Sequence, residues 1–180
     1  MIKYFREIIG TPVLRFEDGS PLASIKDVII HPDTGKLEAF WVKTLHHSFL
    51  YGILQTQDIV EWKKKIYVRG NEAIGDPADI IKIAELLSQN RLIMGNRVRT
   101  DRGVDLGRVF DLDFDTGQYF LRHIHVQKSF LGLFKYQPRI LSYDLILEVL
   151  PDTILIKDKT EKEEKIKEPL IENKQILLDN

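Results

Sequence analysis

Arg6-Glu7-Ile8-Ile9-Gly10-Thr11-Pro12-Val13 returns later in the chain as Arg91-Leu92-Ile93-Met94-Gly95-Asn96-Arg97-Val98. About twenty residues into each copy stands the same triplet, Asp33-Thr34-Gly35 and Asp115-Thr116-Gly117, and Ser48-Phe49-Leu50 recurs as Ser129-Phe130-Leu131. Landmarks that keep their order at a nearly constant shift are the mark of a duplicated unit. A feature held by both copies is then architecture, whereas a residue carried by one is a candidate for function.

The first copy reads as short strands cut by turns. Val13–Phe16 precedes the turn signal Glu17-Asp18-Gly19-Ser20, and Ile25–Ile30 is an apolar run. His31-Pro32-Asp33-Thr34-Gly35 breaks it, because proline donates nothing to a ladder and glycine supplies the positive φ of a tight hairpin. Leu37–Leu45 resumes, with Ala39, Trp41 and Lys43 alternating against Phe40 and Val42, and Ile53–Gln55, Ile59–Trp62 and Ile66–Arg69 follow. That spacing predicts a barrel or sandwich. The second copy repeats it through 107–113, 119–126, 139–142, 145–150 and 153–156. Between the copies, Asp76-Pro77-Ala78-Asp79 reads as a helix start for the amphipathic run from Ile80 to Leu87. The expected organisation is a first barrel over 1–75, a connecting helix over 76–90, a second barrel over 91–157 and a charged tail over 158–180. The tail cannot bury enough apolar surface to offset its ordering entropy. Its islands Pro169-Leu170-Ile171 and Ile176-Leu177-Leu178 read either as docking segments or as a terminus folding back on its own domain.

Charge and cysteine content narrow the function classes. With 26 basic and 27 acidic residues there is no global pull toward nucleic acid or an anionic membrane. The absence of cysteine excludes disulfides, thiolate chemistry and cysteine-ligated metals. No apolar run of eighteen residues and no secretory leader pattern is seen, so the expectation is a cytoplasmic protein with no membrane partner.

The segments Ile8-Ile9-Gly10-Thr11-Pro12-Val13 and Ile93-Met94-Gly95-Asn96-Arg97-Val98, the turn glycines Gly19 and Gly103, the step Leu106-Gly107-Arg108-Val109, the Asp-Thr-Gly hairpin and the closing hairpin Tyr143–Ile156 together resemble the PRC-barrel family. The resemblance spans both copies. It implies a mainly β protein of two tandem six-stranded barrels joined by a short helix. That family is shared by the cytoplasmic domain of the photosynthetic reaction centre H subunit and the C-terminal domain of the ribosome maturation factor RimM. Its members are mostly not enzymes, and act as docking modules, assembly stabilisers or RNA-processing accessories. The resemblance brings no catalytic residues and no cofactor.

Three candidate chemistries compete with a binding role. Two Asp-Thr-Gly triplets in a duplicated β protein suggest an aspartic-type hydrolase, in which two carboxylates share one proton. Lys36 and Gln118 stand where that chemistry has a small hydroxyl residue, and an aspartate opening a turn whose glycine is left-handed explains both triplets. His123-Ile124-His125 places two imidazoles on one strand face, but two ligands are not a metal site, and half-exposed strand histidines are expected. Residues 91–157 carry a local charge of about +2, and with Lys63-Lys64-Lys65 this supports an RNA- or ribosome-associated alternative. The strongest signal is apolar residues placed in connections: Phe49, Leu50 and Tyr51 in the first copy, and Phe130, Leu131, Leu133, Phe134 and Tyr136 in the second. An exposed apolar patch costs hydration free energy unless something covers it. The expected function is non-enzymatic binding of a partner protein or of a second copy.

Overall fold

The computed structural model describes residues 1–45, 48–130, 134–135 and 137–158. His46, His47, Leu131, Leu133, Tyr136 and the tail beyond Asp158 lie outside the described residues. The first half contains β1 (Ile2–Tyr4), α1 (Phe5–Ile8), β2 (Pro12–Arg15), β3 (Pro21–Ile30), β4 (Leu37–Thr44), β5 (Tyr51–Gln55), β6 (Ile59–Trp62), β7 (Ile66–Val68) and β8 (Ile74–Gly75). After α2 (Ile81–Ser88) come β9 (Arg97–Thr100), β10 (Asp105–Asp115), β11 (Phe120–Gln127), β12 (Ser129–Phe130), β13 (Phe134–Lys135), β14 (Arg139–Ser142), β15 (Ile146–Val149) and β16 (Thr153–Ile156). The protein is mainly β.

Six strands of each half pair in the same order. One sheet runs β6-β7-β2-β3-β4-β5 and the other β15-β16-β9-β10-β11-β14, each with one parallel pair, β2 with β7 and β9 with β16. Each sheet has a seventh strand from a different source, β8 beside β5 in the first and β1 beside β10 in the second. The N-terminal strand therefore joins the sheet built by the second half. Among the described residues each ladder is an open path, and side chains fill the seam. Phe40 on β4 meets Trp62 on β6 edge-on, with ring centroids 5.2 Å apart.

Matching bulges explain how one strand feeds two cores. Opposite Ile29 and Ile30 the register skips Glu38, so Leu37, Phe40 and Val42 all reach the main core while Ala39 turns to the other face. Opposite Asp113 and Phe114 it skips Arg122, which lets Leu121 and Ile124 do the same. On the outer face of the first sheet Ile29, Ala39 and Ile53 pack against Ile83 and Leu86 of α2. This helix is shorter than the sequence predicts. The carboxylate of Asp76 accepts from the Ala78 N–H and its carbonyl from the Asp79 N–H, which makes a turn. Ile80, at φ −101° and ψ 86°, then delays the helix to Ile81.

The halves are fused through their hairpins. The Leu37 N–H donates to the Tyr119 carbonyl at 2.8 Å and the Leu121 N–H to the Gly35 carbonyl at 2.9 Å, around a bridge between Lys36 and Phe120. These bonds are reciprocal at a shift of 84 residues, as across a twofold axis. Trp62 stacks on Tyr119, and the Tyr143 hydroxyl donates to the Pro32 carbonyl at 3.1 Å. One continuous apolar cluster runs from Ile8 to Ile156 through both halves.

Candidate interaction surfaces

At the β4–β5 connection Phe49 turns in while Leu45, Leu50 and Tyr51 turn out. Thr44, itself buried, donates its hydroxyl to the Phe49 carbonyl, and its N–H bonds the Leu50 carbonyl at 3.0 Å. The Phe49 ring lies over Gly52, where a Cβ would stand 2.8 Å from it, and packs on the core. Beside it Leu45, Leu50 and Tyr51 are 55%, 57% and 49% exposed. Of the first-copy residues singled out by sequence, Phe49 is therefore partly structural, and Leu50 and Tyr51 form the surface together with Leu45, which sequence reasoning missed. In the second half Phe130 and Phe134 are cross-strand partners in the β12–β13 hairpin. Leu131, Leu133 and Tyr136 lie outside the described residues.

A second polar cluster lies under β1 and α1. Asp113, buried, receives His123 Nδ1 at 3.0 Å and His125 Nε2 at 2.8 Å. Tyr4 of β1 meets the His125 ring edge-on at 5.5 Å. One residue pair away, buried Asp111 accepts the Leu112 and Arg6 backbone N–H groups on Oδ1. The Arg6 guanidinium lies 3.1 Å from its Oδ2, close enough for an ion pair without the alignment of a hydrogen bond. His123 is half-exposed as expected, but His125 is buried, because β1 lies over it. Asp113 serves the two imidazoles as their shared hydrogen-bond partner, and among the described residues no group of three or more His, Asp or Glu is arranged to hold a metal ion. Arg6, Asp111 and Asp113 carried no sequence signal, since the contact exists only once β1 crosses to β10.

The two triplets differ in structure. Gly35 takes the left-handed position at φ +71°, as predicted, but Gly117 does not. Its hairpin gives that conformation to Tyr119, at φ +50°. The reason is register: the pairs Ile29–Ala39 and Ile30–Leu37 correspond to Asp113–His123 and Phe114–Leu121, which aligns Gly35 with Tyr119, two residues beyond the second triplet. Asp115 does open a turn, accepting the N–H groups of Gly117 and Gln118. Asp33 instead grips Arg91 through two bonds, at 2.5 and 3.1 Å, and Arg91 Nε reaches the Val149 carbonyl at 2.6 Å. The bond from Arg91 holds the Asp33 carboxyl below its ordinary value, and the Gly117 amide does so for Asp115. A proton-sharing pair would push one of its two carboxyls up. Each carboxylate keeps its own partners.

Basic side chains are partly spent on the fold. Besides Arg91, Arg108 donates to the Gly95 carbonyl at 3.0 Å, and Lys63 pairs with Glu61. Among the described residues no helix is long and apolar enough to cross a membrane. The family model of the PRC-barrel domain matches residues 1–74. No match was found among curated proteins.

Proposed function

The chain carries a PRC-barrel domain in its first 74 residues, and from that premise we propose that it is a non-enzymatic scaffold that holds a partner protein through the apolar connection between β4 and β5. The observation that carries this reading is the exposure of Leu45, Leu50 and Tyr51 around one short connection, where Thr44 bonds the Phe49 and Leu50 carbonyls. Anchor residues whose backbone is already held lose little entropy on binding, and an aromatic side chain is a favourable anchor. Phe130, Leu131, Leu133, Phe134 and Tyr136 supply the matching apolar connection of the second copy. The separate partners of Asp33 and Asp115 favour binding over hydrolysis.

Leu50→Asp combined with Tyr51→Asp tests this. Quantitative affinity capture with the wild-type chain and the variant should show specific proteins lost by at least about tenfold from the variant, the size expected when anchor residues are removed. The melting temperature should stay within a few degrees, because both side chains face solvent. Equal capture by wild type and variant would defeat the proposal.

A further inference from the structure

The two halves differ at one sheet edge. In the second half, β10 extends past its pairing with β9, and β1 occupies the remaining edge with Ile2, Lys3 and Tyr4 opposite Asp115, Phe114 and Asp113. In the first half, β3 likewise extends past β2, whose pairing ends at Pro12 with Ser24. Among the described residues no strand lies on the edge from Asp27 to Ile30. The Leu37 N–H is taken by Tyr119, and the His31 N–H bonds the Lys36 carbonyl. Ile30 and Leu37 are thus the non-bonding kind of antiparallel pair, and the Ile30 N–H and C=O point off the open edge. A cavity of about 170 Å³ runs along it, bordered by Val28, Ile30, Trp41, Leu87 and Met94. Where β10 offers buried Asp113, β3 offers Ile29 at the same register position. Apart from Asp27 and Arg91 the wall is apolar, so an apolar strand suits this edge better than the mixed Ile2-Lys3-Tyr4 of β1.

We propose that the chain's own segment Gln175-Ile176-Leu177-Leu178 is that strand, adding to β3 at Val28–Ile30 with its apolar side chains in the cavity. It contains no proline, so every residue can donate to the ladder, unlike Pro169-Leu170-Ile171. The distance allows it. Asp158 is fixed to Asp101 by its N–H at 3.1 Å. Residues 93 to 101 can separate that point from the cavity wall at Ile93 by at most roughly 29 Å, whereas the eighteen residues from 158 to 176 span up to roughly 59 Å when extended. A tethered segment also meets its groove at an effective concentration on the order of millimolar, which favours it over a free peptide.

Hydrogen exchange in the full-length chain tests the assignment, comparing wild type with Ile176→Asp/Leu177→Asp. The Ile30 amide should exchange at least about tenfold faster in the variant, while the Phe114 amide under β1 keeps its rate. A synthetic peptide of residues 172–180 should restore the protection. Unchanged Ile30 exchange would overturn the proposal, as would protection that appears only as concentration rises with dimers in sedimentation, since the strand would then come from a second copy. A chain without cysteine permits an independent check with Val28→Cys/Leu177→Cys under mild oxidation. A disulfide within one chain is expected, and a disulfide between chains, or none, would refute the docking even if the charged variant proved unstable.

Discussion

At the scale of single residues, the hairpin at 31–36 concentrates the constraints. Gly35 needs a left-handed backbone, and a Cβ there would stand 2.7 Å from the Tyr143 ring. Burial, with the negative charge of Asp33, pushes that phenol up to about 12, so it stays a donor to the Pro32 carbonyl at 3.1 Å. Gly35→Ala should therefore cost about 2 kcal/mol or more in urea titration, combining backbone strain and the clash. Gly117→Ala, without a positive φ, should stay within about 1 kcal/mol. Equal losses at the two positions would show that the triplets are equivalent after all. Asp33 carries the pH prediction. Its folded pKa is depressed by Arg91, so its contribution is present above the ordinary carboxylate value and is lost as pH falls through the folded one. Because Asp33 is 56% exposed, that contribution is at most about 1 kcal/mol. Thermal melts of Asp33→Asn should fall below wild type at neutral pH and converge with it in acid, once pH has fallen through the depressed folded value. A gap that persists in acid would mean the aspartate acts through something other than its charge.

At the scale of elements, β1 and α1 form a strap from the first half onto the second. Lys3 sits opposite Phe114, the position whose N–H and C=O face β1, as the neighbouring Thr116 N–H bond to the Met1 carbonyl indicates. Lys3→Pro removes a donor from this pairing and should cost about 1–3 kcal/mol. Exchange at Phe114 should quicken, with little change at Leu54 in the other sheet. An unaltered Phe114 rate would mean that β1 is not held by its ladder. The strap was illegible in the sequence for a definite reason. Three residues with mixed polarity carry no period, and their partner lies more than a hundred positions away. By contrast β3, β4, β10 and β11 were readable, because each carries enough apolar residues to fill a core and borders a glycine-containing turn.

At the scale of the whole molecule, the question is whether duplication produced two folding units or one. Reciprocal bonds between Leu37 and Tyr119 and between Leu121 and Gly35, the Trp62–Tyr119 stack and one unbroken apolar cluster argue for one. Urea unfolding should be a single transition that coincides by tryptophan fluorescence, which reports Trp41 and Trp62 in the first half, and by far-ultraviolet circular dichroism, which reports both. Two separated transitions would show independent halves. Each half alone is small, and packing of Tyr119 on Trp62 and of Tyr143 beside Gly35 and Pro32 adds contact area that neither possesses by itself.

Local pattern was enough to place the six strands that each copy repeats and to show the apolar character of the β4–β5 connection. These follow from side-chain alternation and turn chemistry within a few residues. Tertiary structure alone decided which strand β1 joins, that Phe49 turns inward while Leu50 turns out, that the second hairpin's left-handed residue is Tyr119, and that Arg91 holds Asp33. Each of these depends on register or on contact between the halves, and shifting a strand by one or two residues changes the partner without changing the composition from which a sequence is read.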